Sequence, residues 1–418
     1  MSQLLDAITS ILTAITSYLY IHRYDFTILV ITISALLYFL YKNKKNIHVQ
    51  RILAIGKFNI FSLYMVRTTW GLKLMDYVAQ KWRIPTVVFG FVSVVLVFIG
   101  MIINFLLLAF IIYFMFREPA TQQVALVLPF TEVPGLGYLS FTHWIIAIIF
   151  LATIHEFAHG LIARYYKIKV QSSGIAVFNI WKLPFIPAAF VEPDQKTMAK
   201  RGAYKQLAVL GAGPASNILV AIPIFLLILF ANAWISDNLL VESGIGFSDV
   251  MDDFPAQEAG LESSVLITGI NNESVTNAIA LLETLDGMIP GEEITLTGKD
   301  GQTFVVQTTA NPDNESRAFL GVSGVFTRYE YIESAQRYQE LILWTLQLLN
   351  WLFWFNLLIG LMNLMPLFIT DGGQIVRVLA TRFIKDEKRA LRVYTIVCKV
   401  ALYIILAAFI IPIFARFF

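Results

Sequence analysis

Two histidines and a glutamate stand in the pattern H-E-x-x-H, as His155, Glu156 and His159. On a helix, residues four apart share one face, so both imidazoles can bind the same metal ion. The carboxylate between them can act as a general base that takes a proton from water. Zinc suits imidazole ligands and activates both water and carbonyl groups, which is the chemistry of peptide hydrolysis. We therefore predict one Zn²⁺ per chain, held in part by His155 and His159, with Glu156 as the catalytic base.

The surroundings of this pentad argue against a chance match in a solvated helix. The 418-residue chain is 57% hydrophobic and 14% charged, whereas soluble domains are roughly 45–50% apolar and about 25% charged. The pentad lies within an apolar stretch that covers residues 141–163. Ionisable groups are costly in such a stretch and by default mark a functional site.

A catalytic zinc site usually takes three protein ligands and keeps one position open. Asp371 is the candidate third ligand, because it lies in an apolar run broken by Pro366 and by a glycine pair at 372 and 373. Irregular backbone at membrane depth is tolerated where it is buried in protein or lines a cavity. The alternative, which is compatible with a ligand role, is that Asp371 caps a short helix beginning at Gly372.

Six apolar stretches are candidates to cross a bilayer, which takes about 20 residues of helix. They cover residues 26–41, 86–116, 141–163, 206–235, 341–366 and 394–414. We therefore predict a polytopic α-helical membrane protein with about six transmembrane helices. The weakly apolar residues 4–20 are predicted to form a surface helix.

Basic residues concentrate in three segments that alternate with these spans. Segment 42–85 holds nine Lys and Arg against one acid, segment 164–205 holds eight against two, and segment 377–393 holds six against two. The positive-inside rule places all three segments in the cytoplasm. We expect an integral, multi-pass protein of a prokaryotic plasma membrane.

Residues 239–328 differ from their surroundings, with short β-rich runs separated by turn signals such as Pro290–Gly291. The run at 254–261, F-P-A-Q-E-A-G-L, and the run at 265–271 resemble the core of bacterial-type PDZ domains. Leu320-Gly-Val322 resembles the carboxylate-binding strand of such a domain. We predict a small extracytoplasmic α+β PDZ-like domain inserted between the fourth and fifth spans, with peptide C-termini as candidate ligands. A generic β-rich domain is the alternative.

Three motifs, in order along the chain, resemble those of the site-2 protease family of intramembrane zinc metalloproteases. They are H-E-x-x-H at His155 to His159, G-P-x-x-N at Gly213, Pro214 and Asn217, and N-x-x-P followed by D-G at Asn363, Pro366, Asp371 and Gly372. The resemblance covers residues 140–380 and departs from the usual P-x-P-L-D-G wording at 366–372. It implies a membrane-associated β-hairpin at about 174–189, followed by the stretch 190–194.

The resemblance also implies the roles of site residues. Asp371 is then the third zinc ligand, and Asn217 holds the backbone of the substrate in an extended form. Gly213, Pro214 and Asn363 complete the predicted substrate-binding set. The implied activity is hydrolysis of peptide bonds within transmembrane segments, in regulated intramembrane proteolysis or in clearance of signal-peptide remnants. The expected partners are single-span membrane proteins and the lipid bilayer, with no nucleic acid.

These expectations divide the chain into five regions. Residues 1–139 form an N-terminal membrane region with two spans and a basic cytoplasmic loop. Residues 140–238 and 340–380 form the two parts of the catalytic core, on either side of the insert at 239–328. Residues 381–418 carry the last span.

Two other functions fit parts of the pattern. Membrane metallopeptidases of the prenyl-protein type also carry H-E-x-x-H in a span, but they use Glu as the third ligand, whereas Asp371 stands within D-G here. A non-catalytic scaffold or zinc carrier is a further alternative. Glu156 argues against it, because binding a metal ion requires no general base.

Overall fold

The computed structural model describes residues 22–55, 58–122, 124, 127–181 and 183–415. It divides into two compact units. The first contains the described residues up to Leu227 together with those from Gln347 onward, and the second contains Ile228–Leu346. The surface helix predicted at 4–20 lies outside the described residues.

Seven helices of 13 residues or more account for nearly half of the described chain. They are α1 (Arg23–Lys42), α2 (Arg83–Arg117), α3 (Phe141–Tyr165), α4 (Ala203–Leu239), α5 (Gln339–Asn363), α6 (Asp371–Phe383) and α7 (Glu387–Ala415). All but α6 are long and apolar enough to cross a membrane. The six predicted spans therefore correspond to six helices, and the chain is an integral, multi-pass membrane protein.

A four-stranded antiparallel sheet belongs to the first unit. Its strands are β1 (Ile47–Ile55), β2 (Phe58–Thr68), β5 (Val170–Ile180) and β6 (Leu183–Pro193), and they lie in the order β1-β2-β5-β6. The predicted hairpin is thus β5 and β6. Residues 190–193 belong to its second strand, so the prediction that they follow the hairpin is wrong. The segment 42–85, expected as a loop, contributes β1, β2 and the short helix Leu72–Lys81.

Helix α2 lies close to two of the helices that carry predicted site residues. Against α4, a Cβ atom at Gly211 would lie 3.1 Å from the carbonyl oxygen of Ser93. Against the end of α5, Asn104 Nδ2 donates hydrogen bonds to the carbonyl oxygens of Gly100, at 2.8 Å, and Leu361, at 2.9 Å. Asn104 is 1% exposed. A buried amide therefore links α2 to the chain just before Asp371.

The turn between α5 and α6 positions Asp371. Thr370, with extended backbone, is the N-cap of α6, and its Oγ1 accepts a hydrogen bond from Gly373 N at 3.3 Å. Asp371 is the first helical residue, so the prediction that it caps a helix beginning at Gly372 is wrong. A Cβ at Gly372 would collide with the backbone of Leu364 and Met365. The glycine lets the chain fold back closely enough to fix this turn.

The second unit contains a five-strand antiparallel path in the order β11-β10-β8-β7-β14, with β9 paired to β8. The strands are β7 (Leu240–Val250), β8 (Ile267–Ile270), β9 (Glu273–Ser274), β10 (Glu293–Gly298), β11 (Thr303–Gln307) and β14 (Val322–Tyr331). Two small hairpins complete the strands, β3–β4 (Thr131–Val133, Gly137–Leu139) in the first unit and β12–β13 (Thr309–Asn311, Asn314–Phe319) in the second.

The β-rich residues leave and rejoin the helical chain at one place. Strand β7 begins directly after α4 ends, and Leu240 pairs with Tyr331 at the end of β14. The short helices Pro255–Glu258 and Ala278–Asp286 pack with the sheet around buried residues such as Ile245 and Leu281. An insert whose two ends are paired can be accommodated between two helices without separating them.

Replacing Asn104 with Leu should weaken the contact between α2 and α5. The variant loses both hydrogen bonds from the buried amide, and we expect a loss of about 1 kcal/mol in the free energy of unfolding. Equilibrium unfolding in detergent micelles measures this change. Ser93→Ala is the matched control, because Ser93 Oγ donates only within its own helix, to Phe89 O at 2.7 Å. Equal losses in the two variants would contradict a role for Asn104 between helices.

Candidate metal centre and active-site cavity

Three donor atoms converge between α3 and the start of α6. His155 Nε2 and His159 Nε2 lie 3.1 Å apart. Asp371 Oδ2 lies 3.2 Å from the first nitrogen and 3.3 Å from the second. Ligand atoms about 2.0–2.1 Å from a tetrahedral zinc ion are separated by about 3.3 Å. The triangle formed by the three atoms therefore has the dimensions of one face of a zinc coordination tetrahedron.

The tautomer of His159 is fixed by a backbone carbonyl. His159 Nδ1 lies 2.7 Å from the carbonyl oxygen of Val209 on α4. A carbonyl oxygen only accepts hydrogen bonds, so Nδ1 carries the proton and the lone pair is on Nε2. That lone pair is the one that faces His155 and Asp371.

His155 meets an amide side chain on its other face. Its Nδ1 lies 3.3 Å from the terminal amide of Asn217, which is fully buried, and Asn217 Oδ1 has no hydrogen-bond partner within the described residues. The oxygen and nitrogen of an amide are interchangeable by a 180° rotation. With Oδ1 turned toward His155, the orphaned oxygen accepts the Nδ1 proton and the Nε2 lone pair is free for a metal ion.

A single proton cannot satisfy all three contacts among His155 Nε2, His159 Nε2 and Asp371 Oδ2. With both imidazoles protonated on Nδ1, two nitrogen lone pairs and a carboxylate oxygen lie within 3.3 Å of one another. A proton on one Nε2 would satisfy one contact with Asp371 and leave the other repulsive, whereas a divalent cation can accept all three lone pairs. The residues present therefore fit a zinc ion.

Gly213 provides the space for the two imidazoles. A Cβ atom there would lie 2.5 Å from His155 Nε2 and closer still to His159 Nε2. Such approaches are far inside van der Waals contact, so only glycine allows α4 to pass this close to both nitrogens. Gly360 of α5 also lies close to α4, since a Cβ there would be 3.0 Å from the carbonyl oxygen of Pro214.

Glu156 is held by the edge of the sheet. Its Oε2 accepts a hydrogen bond from the backbone N–H of Val191 in β6, at 2.8 Å. Val191 pairs with Ser173 of β5. Because β6 is the last strand in its sheet, this N–H points away from β5 toward α3. The contact fixes one oxygen of the carboxylate, and His155 and His159 flank it on the same helix.

The donor triangle and Glu156 open onto a cavity of about 860 Å³. Its walls come from α3, α4, β6, the short helix Gln195–Ala199 and α6. Asn363 lines this cavity, as do Ala188 and Ala189 of the edge strand. Asn217 contacts His155 instead, and Pro214 is buried within α4. Of the predicted substrate-binding residues, Asn363 is therefore the one that faces the cavity.

Sequence reasoning missed several residues of this site. Val191 contributes a backbone amide, which leaves no signature in the side-chain sequence. Thr370, which caps α6, and Gln374 and Arg377, which line the cavity, lie beside a recognised motif but were not singled out. Asn104 did carry a signal, since a lone amide within an apolar span usually marks an interhelical contact.

Adding a methyl group at position 213 should prevent stoichiometric metal binding. Gly213→Ala displaces both Nε2 atoms, and a zinc site tolerates errors of only about 0.2 Å in its ligand distances. Zinc content measured on the purified protein should fall well below one ion per chain. Gly202→Ala is the control, because a Cβ there meets nothing within 4 Å. Full zinc occupancy in Gly213→Ala would contradict the position assigned to the ion.

Substitutions at Asn217 should show whether this residue affects zinc affinity through its hydrogen bond to His155 or only through its volume. Asn217→Leu keeps the volume but cannot accept the Nδ1 proton, and we expect roughly a 10- to 100-fold loss of zinc affinity. Asn217→Asp can still accept this proton and should retain affinity close to wild type. Competition with a chelator of known affinity measures both. Similar affinities for the Leu variant and the wild type would show that the amide does not orient His155.

A protein family and a curated protein are similar to this chain. A family model described as peptidase family M50 matches residues 143–408. An uncharacterized protein from the archaeon Methanocaldococcus jannaschii is 27% identical over 233 residues, which are 54% of this chain and 54% of that protein. The chain thus aligns with about half the length of the curated relative that it matches.

A solved PDZ domain, that of an SdrC-like protein from Listeria monocytogenes, is 17% identical. The match covers 23% of this chain and 94% of that chain, with a TM-score of 0.18. The M50 match covers 266 of 418 residues and includes both histidines, Glu156 and Asp371. The chain belongs to peptidase family M50, the site-2 protease family of zinc metallopeptidases.

Proposed function

We propose that this chain is an intramembrane zinc endopeptidase that hydrolyses peptide bonds within the transmembrane segments of single-span membrane proteins. In this proposal His155, His159 and Asp371 hold one zinc ion and Glu156 is the general base. The observation that carries it is the convergence of three metal-ligand atoms beside a carboxylate, in a cavity between apolar helices. Membership of peptidase family M50 supports the same chemistry.

Each side chain has a distinct task in this reaction. A bound zinc ion supplies Lewis-acid polarisation of the scissile carbonyl and activation of water. Glu156 accepts a proton from the attacking water and passes it to the leaving amine. The hydrogen bond from Val191 N–H engages Oε2, so Oε1 is the oxygen available for the proton. His159 is oriented by Val209 O and His155 by Asn217, which keeps both lone pairs directed at the metal.

The cavity can hold the water that the reaction needs. Peptide hydrolysis consumes water, which the hydrocarbon core of a bilayer excludes. A cavity of about 860 Å³ lined by groups such as Gln206, Gln374 and Arg377 is large and polar enough to be hydrated. The reaction would therefore take place in a wet pocket enclosed by helices.

The edge strand β6 supports a model for substrate binding. A transmembrane helix must unwind before its carbonyl groups can be attacked, because helical amides are already hydrogen-bonded. Backbone groups alternate in direction along a strand, so those of Ala189 point the same way as those of Val191, toward the cavity. The unwound substrate would add to β6 as a further strand, and Asn363 would contact it.

The proposal extends to topology. Segments 42–85, 164–205 and 377–393 are cytoplasmic, which puts the β-rich insert on the outer face of a prokaryotic plasma membrane. Eighteen acidic residues against four basic ones in 235–340 accord with that side. The insert is PDZ-like and selects substrates, by size or by binding a new C-terminus, in regulated proteolysis or in clearance of signal-peptide remnants.

The two alternatives are less well supported. The prenyl-protein type of enzyme requires a glutamate as the third ligand, whereas among the described residues the carboxylate grouped with both imidazoles is that of Asp371. A zinc scaffold does not require a base, whereas Glu156 lies beside the ligands with one oxygen held by Val191 N–H.

Measuring cleavage and zinc content of the wild type and of two variants tests the roles assigned to Glu156 and Asp371. With a single-span reporter in detergent, wild type should bind zinc and cut within the span. Glu156→Gln should keep zinc but lose roughly 10²–10⁴-fold in rate, the usual contribution of a general base. Asp371→Ala should lose zinc. A wild type that retains zinc without cleaving any single-span reporter would favour the scaffold, and a Glu156→Gln variant with full activity would overturn the base assignment.

Removing one outward amide of β6 tests strand addition. Ala189→Pro deletes an N–H that points to the cavity and leaves the ladder with β5 intact. We expect kcat/KM to fall about tenfold or more with zinc content unchanged. Ala189→Ser is the control, since it keeps both the amide and the small size. Equal kcat/KM values for the Pro and Ser variants would show that substrate does not pair with this edge.

A further inference from the structure

A second cavity in the first unit is lined by positive charge. Its volume is about 900 Å³, close to that of the catalytic cavity. We call it the basic cavity and define it by Asp76, Arg83, Arg164, Tyr166, Lys167 and Lys169, which all line it. None of these residues has a role in the proposed hydrolysis.

Three of the four cations of the basic cavity have no carboxylate paired with them. Arg164 and Asp76 neutralise each other, with Arg164 Nε 2.6 Å from Asp76 Oδ1. Arg83, Lys167 and Lys169 are exposed, and within the described part of the chain no salt bridge is formed by any of them. The cavity therefore presents a net charge of about three positive units to whatever enters it.

A further acid, Asp194, interacts electrostatically with Lys169. Its carboxylate is already engaged, accepting hydrogen bonds from Thr197 N at 2.7 Å and Gln171 Nε2 at 2.6 Å. The Thr197 amide, first, and the Gln171 side chain hold the pKa of Asp194 below its usual range. Its negative charge partly offsets the positive potential at Lys169 without forming an ion pair with it.

The basic cavity lies where two predicted spans end side by side. Arg83 is the first residue of α2, and Tyr165 is the last residue of α3. The two helices are in contact near these ends, since a Cβ at Gly90 would lie 3.5 Å from Ile162 Cδ1 and from Tyr166 Oη. The ends of transmembrane helices lie at the depth of lipid headgroups. A basic pocket between spans at that depth is suited to a lipid headgroup.

We infer that the basic cavity binds the phosphate-bearing headgroup of one anionic phospholipid. The Arg83 guanidinium offers paired donors for phosphate oxygens, and Lys167 and Lys169 supply two more charges across the cavity. Inorganic phosphate presents the same oxygens, so the acyl chains, which would lie along the apolar surface of α2, distinguish a lipid from a soluble ligand. This inference does not depend on the proposed protease activity.

The bound headgroup would join separate parts of the fold. Arg83 begins α2, Asp76 belongs to the short helix Leu72–Lys81, and Lys167 and Lys169 follow α3. Met75 of the short helix also packs against Gly160 of α3, next to His159, where a Cβ would lie 2.5 Å from Met75 Sδ. One ligand held by Arg83, Lys167 and Lys169 would therefore connect the start of α2 to the residues that follow α3.

The test is lipid binding by the full chain, purified in detergent and followed by native mass spectrometry. Phosphatidylglycerol and phosphatidylcholine are added separately, and inorganic phosphate and glycerol 1-phosphate form the soluble arm. The cavity variant is Arg83→Gln/Lys167→Gln/Lys169→Gln. The matched control is Lys385→Gln/Lys388→Gln/Arg392→Gln, which removes the same residue types at exposed positions outside the cavity.

Wild type should retain one phosphatidylglycerol about tenfold more tightly than phosphatidylcholine, with each cation contributing up to about fivefold. The cavity variant should lose this preference and the control variant should keep it. Displacement by inorganic phosphate at submillimolar concentration would assign the site to a soluble phosphate. Equal loss in both triple variants, or no preference for the anionic lipid in wild type, would overturn the inference.

A second measurement uses only the wild type and so does not depend on how the variants fold. A photoactivatable phosphatidylglycerol, with the reactive group in its headgroup, should label peptides containing residues 164–169 or 76–83. Excess unlabelled phosphatidylglycerol should suppress the labelling, and excess phosphatidylcholine should not. Labelling spread evenly over the basic segments 42–85, 164–205 and 377–393 would contradict a single site.

Discussion

Three electron-pair donors lie within 3.3 Å of one another, two of them on a helix that is apolar enough to cross a membrane, and the rest of the first unit depends on this constraint. Two imidazole nitrogens and a carboxylate oxygen repel at this distance unless a cation lies among them. No Lys or Arg of the described chain forms an ion pair with Asp371, so no basic side chain supplies the positive charge at this position. The site is therefore built to be completed by a metal ion.

The surrounding helices can be understood as the means of holding those donors in place. Gly213 lets α4 pass against both imidazoles, and Gly372 lets the α5–α6 turn close on itself beside Asp371. Val209 and Asn217 set the direction of the two rings. Asn104 connects α2 to the end of α5, and Val191 connects the sheet to Glu156. Each contact uses either a polar group in the protein interior or a glycine. Both lower the stability of a fold unless they have a specific purpose, and holding the donor atoms in place is such a purpose.

The sequence predicted the parts of this arrangement that leave a pattern in local residue types. The six apolar stretches and the H-E-x-x-H spacing follow from helix length and helix period, and the structure has helices at all six. Local sequence patterns did not predict the pairing of β2 with β5, in which Arg67 lies opposite Gly174, more than a hundred residues away. Strands in a basic segment between spans look like a loop when no partner is known, because their pairing energy comes from distant residues.

The most direct test of the metal centre is X-ray absorption spectroscopy at the zinc edge of the purified protein. The account predicts two imidazole nitrogens and carboxylate or water oxygen at about 2.0–2.1 Å, with no sulfur. A sulfur scatterer at about 2.3 Å, or a shell of oxygen without imidazole, would contradict a centre built from His155, His159 and Asp371.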